Sequence, residues 1–250
     1  MRTRTTIAIL GMLVMTSCLQ KAKESKPEEE VDDDTVVMET MSDDWVTLFD
    51  GSSFEGWHEY LGEGVSDVWK LEDGAMVFYP PKERNGKSFN IVTDKQYTDF
   101  VLSLEWKVNE ASNSGIFWGV LEDAKYGQPY ETGPEIQVLD NIAHPDAKAG
   151  TTHQAGALYD MIAPGKEVVK PVGEWNLCVI TINHKTNQGS VRLNGENIVE
   201  FPVHGEAWNA MVAKSKFADW EGFGKYQTGK IGLQDHGDIV AYRNIQIKEL

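Results

Sequence analysis

Phe100 to Val108 reads FVLSLEWKV. In an extended chain Phe100, Leu102, Leu104, Trp106 and Val108 fall on one side and Ser103, Glu105 and Lys107 on the other, because successive side chains of a strand alternate faces. The period of two recurs outward from this stretch in both directions. Val68 to Leu71 and Ala75 to Tyr79 flank Asp73-Gly74, and Val191 to Leu193 and Asn197 to Phe201 flank Asn194-Gly195. Both dipeptides suit the two left-handed positions of a type I′ hairpin turn. Further strands are expected at Ile91 to Thr93, Gly115 to Leu121, Glu135 to Leu139, Glu174 to Asn183, Lys230 to Gln234 and Ile239 to Lys248, with one helix at Glu206 to Trp220. About ten to twelve strands without βα alternation predict an all-β fold, a jelly-roll β-sandwich of two antiparallel sheets.

The 250 residues hold 23 Lys and Arg against 39 Asp and Glu, a formal net charge of -16 that repels phosphate backbones and argues against a nucleic-acid partner. The amino-terminal end is organised differently from the rest. Arg2 and Arg4 precede the apolar run Ile7 to Met15, too short to span a bilayer, and Met15-Thr16-Ser17-Cys18 resembles a bacterial lipobox. Residues 1–17 are therefore expected to be a lipoprotein signal and Cys18 the acylated first residue. The alternative is a soluble-secretion signal with a chance cysteine. Each buried methylene of an acyl chain contributes about 0.8 kcal/mol, so several chains hold a protein at a membrane that it does not cross. Residues 18–44 read as an acidic disordered tether: from Leu19 to Asp44 there are ten acidic residues, three lysines and no aromatic. The folded part is expected over 45–250. Cys178, within the apolar run WNLCVITI, reads as a lone buried thiol.

Several blocks of the folded part share one order with a known family: LFDGSSFEGW (48–57), NSGIFWG (113–119), YETGPEIQVLDN (130–141), HQAGALYDMIAP, GEWN, VRLNG and GKIGLQDHGDIVAYRNIQIK. Together they resemble the 3-keto-disaccharide hydrolases common in lipoproteins of Bacteroidetes-type bacteria, over about Trp45 to Leu250. The resemblance implies a concanavalin-like or glucanase-like sandwich acting on glycosides already oxidised at C3, by elimination across C1 and C2 followed by hydration. The lipobox-like Cys18 sets the expected location at the cell envelope, periplasmic or outer-membrane, and since no dinucleotide motif is present, oxidation at C3 is expected from a separate oxidoreductase upstream.

Such chemistry needs a base for the acidified C2 proton, a donor or cation near the C3 oxygen, an acid for the leaving oxygen and an aromatic wall for the sugar. Glu135 and Gln137, alternate residues of EIQVL, project side by side from one strand face, with Glu135 the first candidate base. The bland reading is a polar solvent face. His153 in TTHQAGALY is a second candidate base or acid. Substrate contacts are expected from Gln137, Asn113, Gln234, His236 and Arg243, with Trp118 as a stacking ring or a core residue, Asp140 as a functional acid or a turn former, and Lys107 in the cleft or in solvent. Two sets, His144, Asp146 and His153, and Asp235, His236 and Asp238, contain ligands for a divalent metal without a recognised spacing. Two rivals remain open: a non-catalytic carbohydrate-binding domain, and an ordinary hydrolase with two carboxylates, which Gln137 in place of a second acid disfavours.

Overall fold

The computed structural model describes residues 44–250, so the expected signal, Cys18 and the acidic stretch through residue 43 lie outside the described residues. The chain runs through β1 (Val46–Phe49), β2 (Trp57–Glu59), β3 (Trp69–Glu72), β4 (Ala75–Phe78), β5 (Ile91–Thr93), β6 (Phe100–Val108) and β7 (Asn113–Val120). It continues with β8 (Glu135–Leu139), β9 (Asn176–Asn183), β10 (Gln188–Leu193), β11 (Glu196–Phe201), α1 (Gly205–Val212), β12 (Lys230–Leu233) and β13 (Val240–Glu249). The short strands β1, of four residues, and β2, of three, were not expected. The helix ends at Val212 rather than Trp220. Beyond it the Ser215 hydroxyl donates back to the Val212 carbonyl, and Phe217 and Trp220 turn aside to pack on Phe223.

The strands form a jelly-roll sandwich of two antiparallel sheets. The larger has the order β11-β10-β9-β6-β13-β4-β3, with β1 also paired to β13; the smaller has the order β2-β5-β12-β7-β8. Asp73-Gly74 and Asn194-Gly195 adopt the positive φ angles that the two hairpins require. The alternation of β6 is realised: Phe100, Leu102, Leu104, Trp106 and Val108 are buried between the sheets against Ile116, Ile136, Val138, Ile231 and Leu233 of the smaller one. Truncating a buried leucine of this kind costs about 2–5 kcal/mol.

The two outer faces differ. On β6 the outward residues are partly exposed, whereas all eight residues of β7 are buried. Loops cover the smaller sheet from outside, and the space they leave over its strands is a cavity of about 370 Å³.

Candidate functional site

The cavity floor is built by alternation on three adjacent strands. On β8, Ile136 and Val138 enter the core, so Glu135 and Gln137 face outward; on β7, Asn113, Gly115 and Phe117 do so. Gln137 lies opposite Gly115 in one register and the Gln234 N–H donates to the Gly115 carbonyl from the other side, at 2.9 Å. Gly115 is required by close approach: a Cβ there would collide with the Glu135 carboxyl, which lies across the gap in the row. Gln137, Gly115 and Gln234 thus form one line across the sheet, with the Glu135 carboxyl seated in the middle.

Glu135 is buried, and among the described residues no group donates a hydrogen bond to its carboxyl. Burial pushes its pKa up from 4.5 to about 8, with Lys216 pulling the other way and Asp146 adding to the rise. An unpaired buried carboxyl of this kind is a strong base once ionised.

One wall is aromatic: Trp220 lies 6.0 Å from Tyr130 and 5.0 Å from Phe217 between ring centroids, and Tyr159 lies 6.4 Å from Phe217. Lys216 lines the cavity, its ammonium over the Tyr159 ring at 4.0 Å. On the opposite side Arg84 pairs with Asp235 at 2.6 Å, and the second oxygen of Asp235 accepts the Phe89 N–H. Behind the floor, Asp146 accepts from Tyr159 (2.9 Å), Gln137 Nε2 (3.3 Å) and His153 Nδ1 (2.9 Å), while His153 Nε2 meets Asp160 at 2.9 Å. The other Asp160 oxygen takes the Lys216 backbone N–H at 2.6 Å, which ties the aromatic wall to the same network. Burial and the Asp146 hydrogen bond both raise the Tyr159 pKa, so the phenol stays protonated.

Of the residues singled out in the sequence, Glu135, Gln137, Asn113, Gln234 and His236 line this one cavity. Five others take different places. His153 lies behind the floor, where its two ring nitrogens face Asp146 and Asp160 at 2.9 Å each rather than the cavity. Trp118 points inward with Ile116, two positions before it on β7, and packs on Phe201, 5.6 Å between centroids. Asp140 accepts the backbone N–H groups of Ala111 and Ile142 at 2.9 Å each; it is the turn former. Lys107 and Arg243 lie on the outer face of the larger sheet, over the Trp175 ring, with Arg243 in a two-bond pair to Glu105 at 3.0 Å. That face is separated from the Glu135 cavity by the whole core.

The two candidate metal sets are not assembled as expected. Asp146 and His153 share the network behind the floor and Asp235 is held by Arg84, whereas His144 comes together with His236 and Asp238 at the cavity rim. This trio fits a metal poorly. His144 Nδ1 accepts the Asp146 N–H at 3.2 Å, which leaves the ring proton on Nε2, the atom that faces Asp238 at 3.9 Å. Asp238 in turn accepts the Asn113 backbone N–H, and Asn113 Nδ2 lies 3.3 Å from His236 Nε2. The cluster reads as a hydrogen-bonded rim centred on Asp238.

The sandwich, the polar floor and the sugar-sized hollow can be set beside known proteins. Residues 44–248 match the model of the 3-keto-alpha-glucoside-1,2-lyase-like domain. The chain belongs to this family. A 3-keto-disaccharide hydrolase of Bacteroides thetaiotaomicron is 33% identical over 277 aligned positions, covering 96% of this chain and 95% of that protein. A crystal structure from Parabacteroides distasonis, a candidate glycosyl hydrolase, superposes with a TM-score of 0.74 at 34% identity, over 82% of this chain and 94% of that one. A second from the same organism gives a TM-score of 0.62 at 26% identity, covering 82% and 99%.

Four features of this lyase-like domain escaped the reading of its sequence: Lys216, Tyr159, the Tyr130 and Trp220 wall, and Asp146 as a carboxylate shared by three donors. Lys216 and Trp220 lie in a stretch read as helix, and nothing in its pattern reveals that it unwinds over a strand nearly eighty residues upstream. Tyr159 has a weak signal, since it closes the same TTHQAGALY block as His153 and adjoins Asp160.

Proposed function

We propose that this carbohydrate-active hydrolase cleaves glycosides bearing a ketone at C3, with Glu135 as the base. The carboxylate takes the C2 proton, the C2–H electrons move into an enolate whose charge rests on the C3 oxygen, and their return expels the C1 substituent, whose oxygen takes up a proton as it leaves, while the C1–C2 double bond forms. Water then adds at C1 and a proton returns to C2, so the net result is hydrolysis. The observation that carries this reading is the buried Glu135 carboxyl, unpartnered among the described residues and raised to about 8, on the floor of a cavity with an aromatic wall. Lys216 is the cation for the C3 oxygen, Trp220 and Tyr130 hold the sugar face, and Gln137, fixed by Asp146, orients the ring. Hydrolysis with two carboxylates finds little support, because both Asp140 and Asp235 spend their oxygens on protein donors.

Incubation of a 3-keto-glucoside in deuterated water tests the reaction: the sugar released is expected to carry deuterium at C2, and the unoxidised glucoside to remain intact. Cleavage of the unoxidised glucoside at a similar rate would refute the reading.

The same proposal extends to location and partners. Cys18 carries acyl chains that hold the protein at the cell envelope, and a separate oxidoreductase supplies the ketone. In cells fed a labelled fatty acid, label on the protein is expected to vanish with Cys18→Ser; label that persists excludes acylation there.

A further inference from the structure

Among the described residues, two buried side-chain polar atoms have no hydrogen-bond partner, Asn113 Oδ1 and Gln234 Oε1. They share more than their isolation. Both are amide carbonyl oxygens, both residues line the Glu135 cavity, and they are respectively 2% and 8% exposed. They stand as diagonal neighbours, because Gln234, one residue beyond β12, lies beside Gly115 and Asn113 is two positions along the same face of β7. A buried acceptor without a donor is costly, and native interiors keep few of them. Two placed together on the floor of one cavity ask for a ligand that brings two donors to them.

Around them the cavity holds charged groups of both signs. Lys216 offers an ammonium on one side, and Glu135 occupies the middle of the floor. A substrate with a C3 ketone, the reading on which this inference rests, presents only an acceptor at C3 and gives up its C2 proton to Glu135. Its hydroxyls, all kept through the reaction, stand at C2, C4 and C6; the C2 hydroxyl sits on the carbon placed over Glu135, so the pair of donors away from the reacting carbon is C4 and C6. We infer that Asn113 Oδ1 and Gln234 Oε1 form an acceptor site for the C4 and C6 hydroxyls of the keto-sugar, orienting the C3 oxygen toward Lys216 and C2 over Glu135. The site thereby selects sugars that keep both hydroxyls, since a deoxy analogue leaves a buried carbonyl unpaired in the complex. Discrimination through a buried unpaired partner is far stronger than discrimination by the loss of a methylene.

The test compares a 3-keto-glucoside with its 4-deoxy and 6-deoxy analogues on the wild-type protein and on Gln234→Met, a substitution of similar shape without the carbonyl. Wild-type kcat/KM is expected to fall about tenfold or more for each analogue, and in Gln234→Met the penalty for one of the two is expected to shrink toward unity. Turnover of the parent keto-sugar with equal turnover of both analogues would overturn the inference while leaving the reaction standing. If no keto-sugar is turned over, the ligand-free protein still decides. Gln234→Met is expected to melt above wild type, because it removes an unpaired buried acceptor, and a melting temperature unchanged or lower would overturn the claim. Stabilisation of wild type by calcium or magnesium that is lost in Gln234→Met would assign the two oxygens to a cation and overturn it as well.

Discussion

The outer faces of the two sheets carry similar residues and put them to opposite use. On the larger sheet Glu105, Lys107 and Arg243 surround Trp175, and every charge is met: Arg243 and Asn244 both donate to Glu105, and both cations sit over the indole. On the smaller sheet Glu135 has no donor among the described residues, and two amide oxygens beside it are unpaired. The larger face is open to water and could have left its charges unpaired at little cost; the smaller is covered by loops and pays for each one. Polarity satisfied where water is present and unsatisfied where it is excluded marks the smaller sheet as the face that waits for a ligand.

Substitutions on the two faces are expected to separate accordingly. Glu135→Gln should lower turnover of a 3-keto-glucoside by about 10²–10⁴-fold, the usual contribution of a general base, whereas Glu105→Gln on the other face should leave turnover within assay error; steady-state kinetics on both variants checks this. Next in size is a stability difference of opposite sign. Glu135 is raised from 4.5 to about 8 in the folded protein, so the folded state holds the extra proton and stability is lost as pH rises through that interval. Glu105 is subject to burial, which raises its pKa, but Arg243 and Asn244 outweigh it and lower the value, so its contribution is present at neutral pH and is lost as pH falls through the lowered value. In denaturant melts at pH 8 to 9, Glu135→Gln is therefore expected to be more stable than wild type, and Glu105→Gln less stable by about 1 kcal/mol or less. A smaller effect should come from the network behind the floor: Tyr159→Phe loses the hydrogen bond to Asp146 at a cost of about 1 kcal/mol and should reduce kcat by about tenfold, while Arg243→Lys on the other face changes kcat little.

Much of the fold was legible because it is written in alternation. The boundaries of β5, β6 and β8 follow directly from Ile91–Thr93, Phe100–Val108 and Glu135–Leu139, and the two hairpin dipeptides fix their turns. Half of the floor was legible for the same reason, since Glu135 and Gln137 must share a face whatever sheet they join. Alternation does not say which sheet a face belongs to. Lys107 and Arg243 point away from the core as expected, but from the wrong side of the sandwich, and Trp118 follows the inward positions of β7. His153 shows a second limit: a histidine among polar residues looks free in sequence, and only the fold reveals that Asp146 and Asp160 occupy both of its nitrogens. Lys216 and Trp220 were hidden because their role depends on how a long connection drapes over distant strands.

The pH dependence of kcat/KM offers a further comparison between faces. A base that ionises near 8 gives a rate that climbs with pH up to that region in the free protein, and Lys216→Met, which removes the cation that eases this ionisation, should move the climb to higher pH. Lys107→Met should leave it where it is.

The most direct test uses a 3-keto-glucoside carrying deuterium at C2. If Glu135 removes that proton in the step that commits the sugar to cleavage, the labelled substrate reacts several-fold more slowly than the unlabelled one. Equal rates for the two, in a protein whose Glu135→Gln variant retains full turnover, would contradict the account.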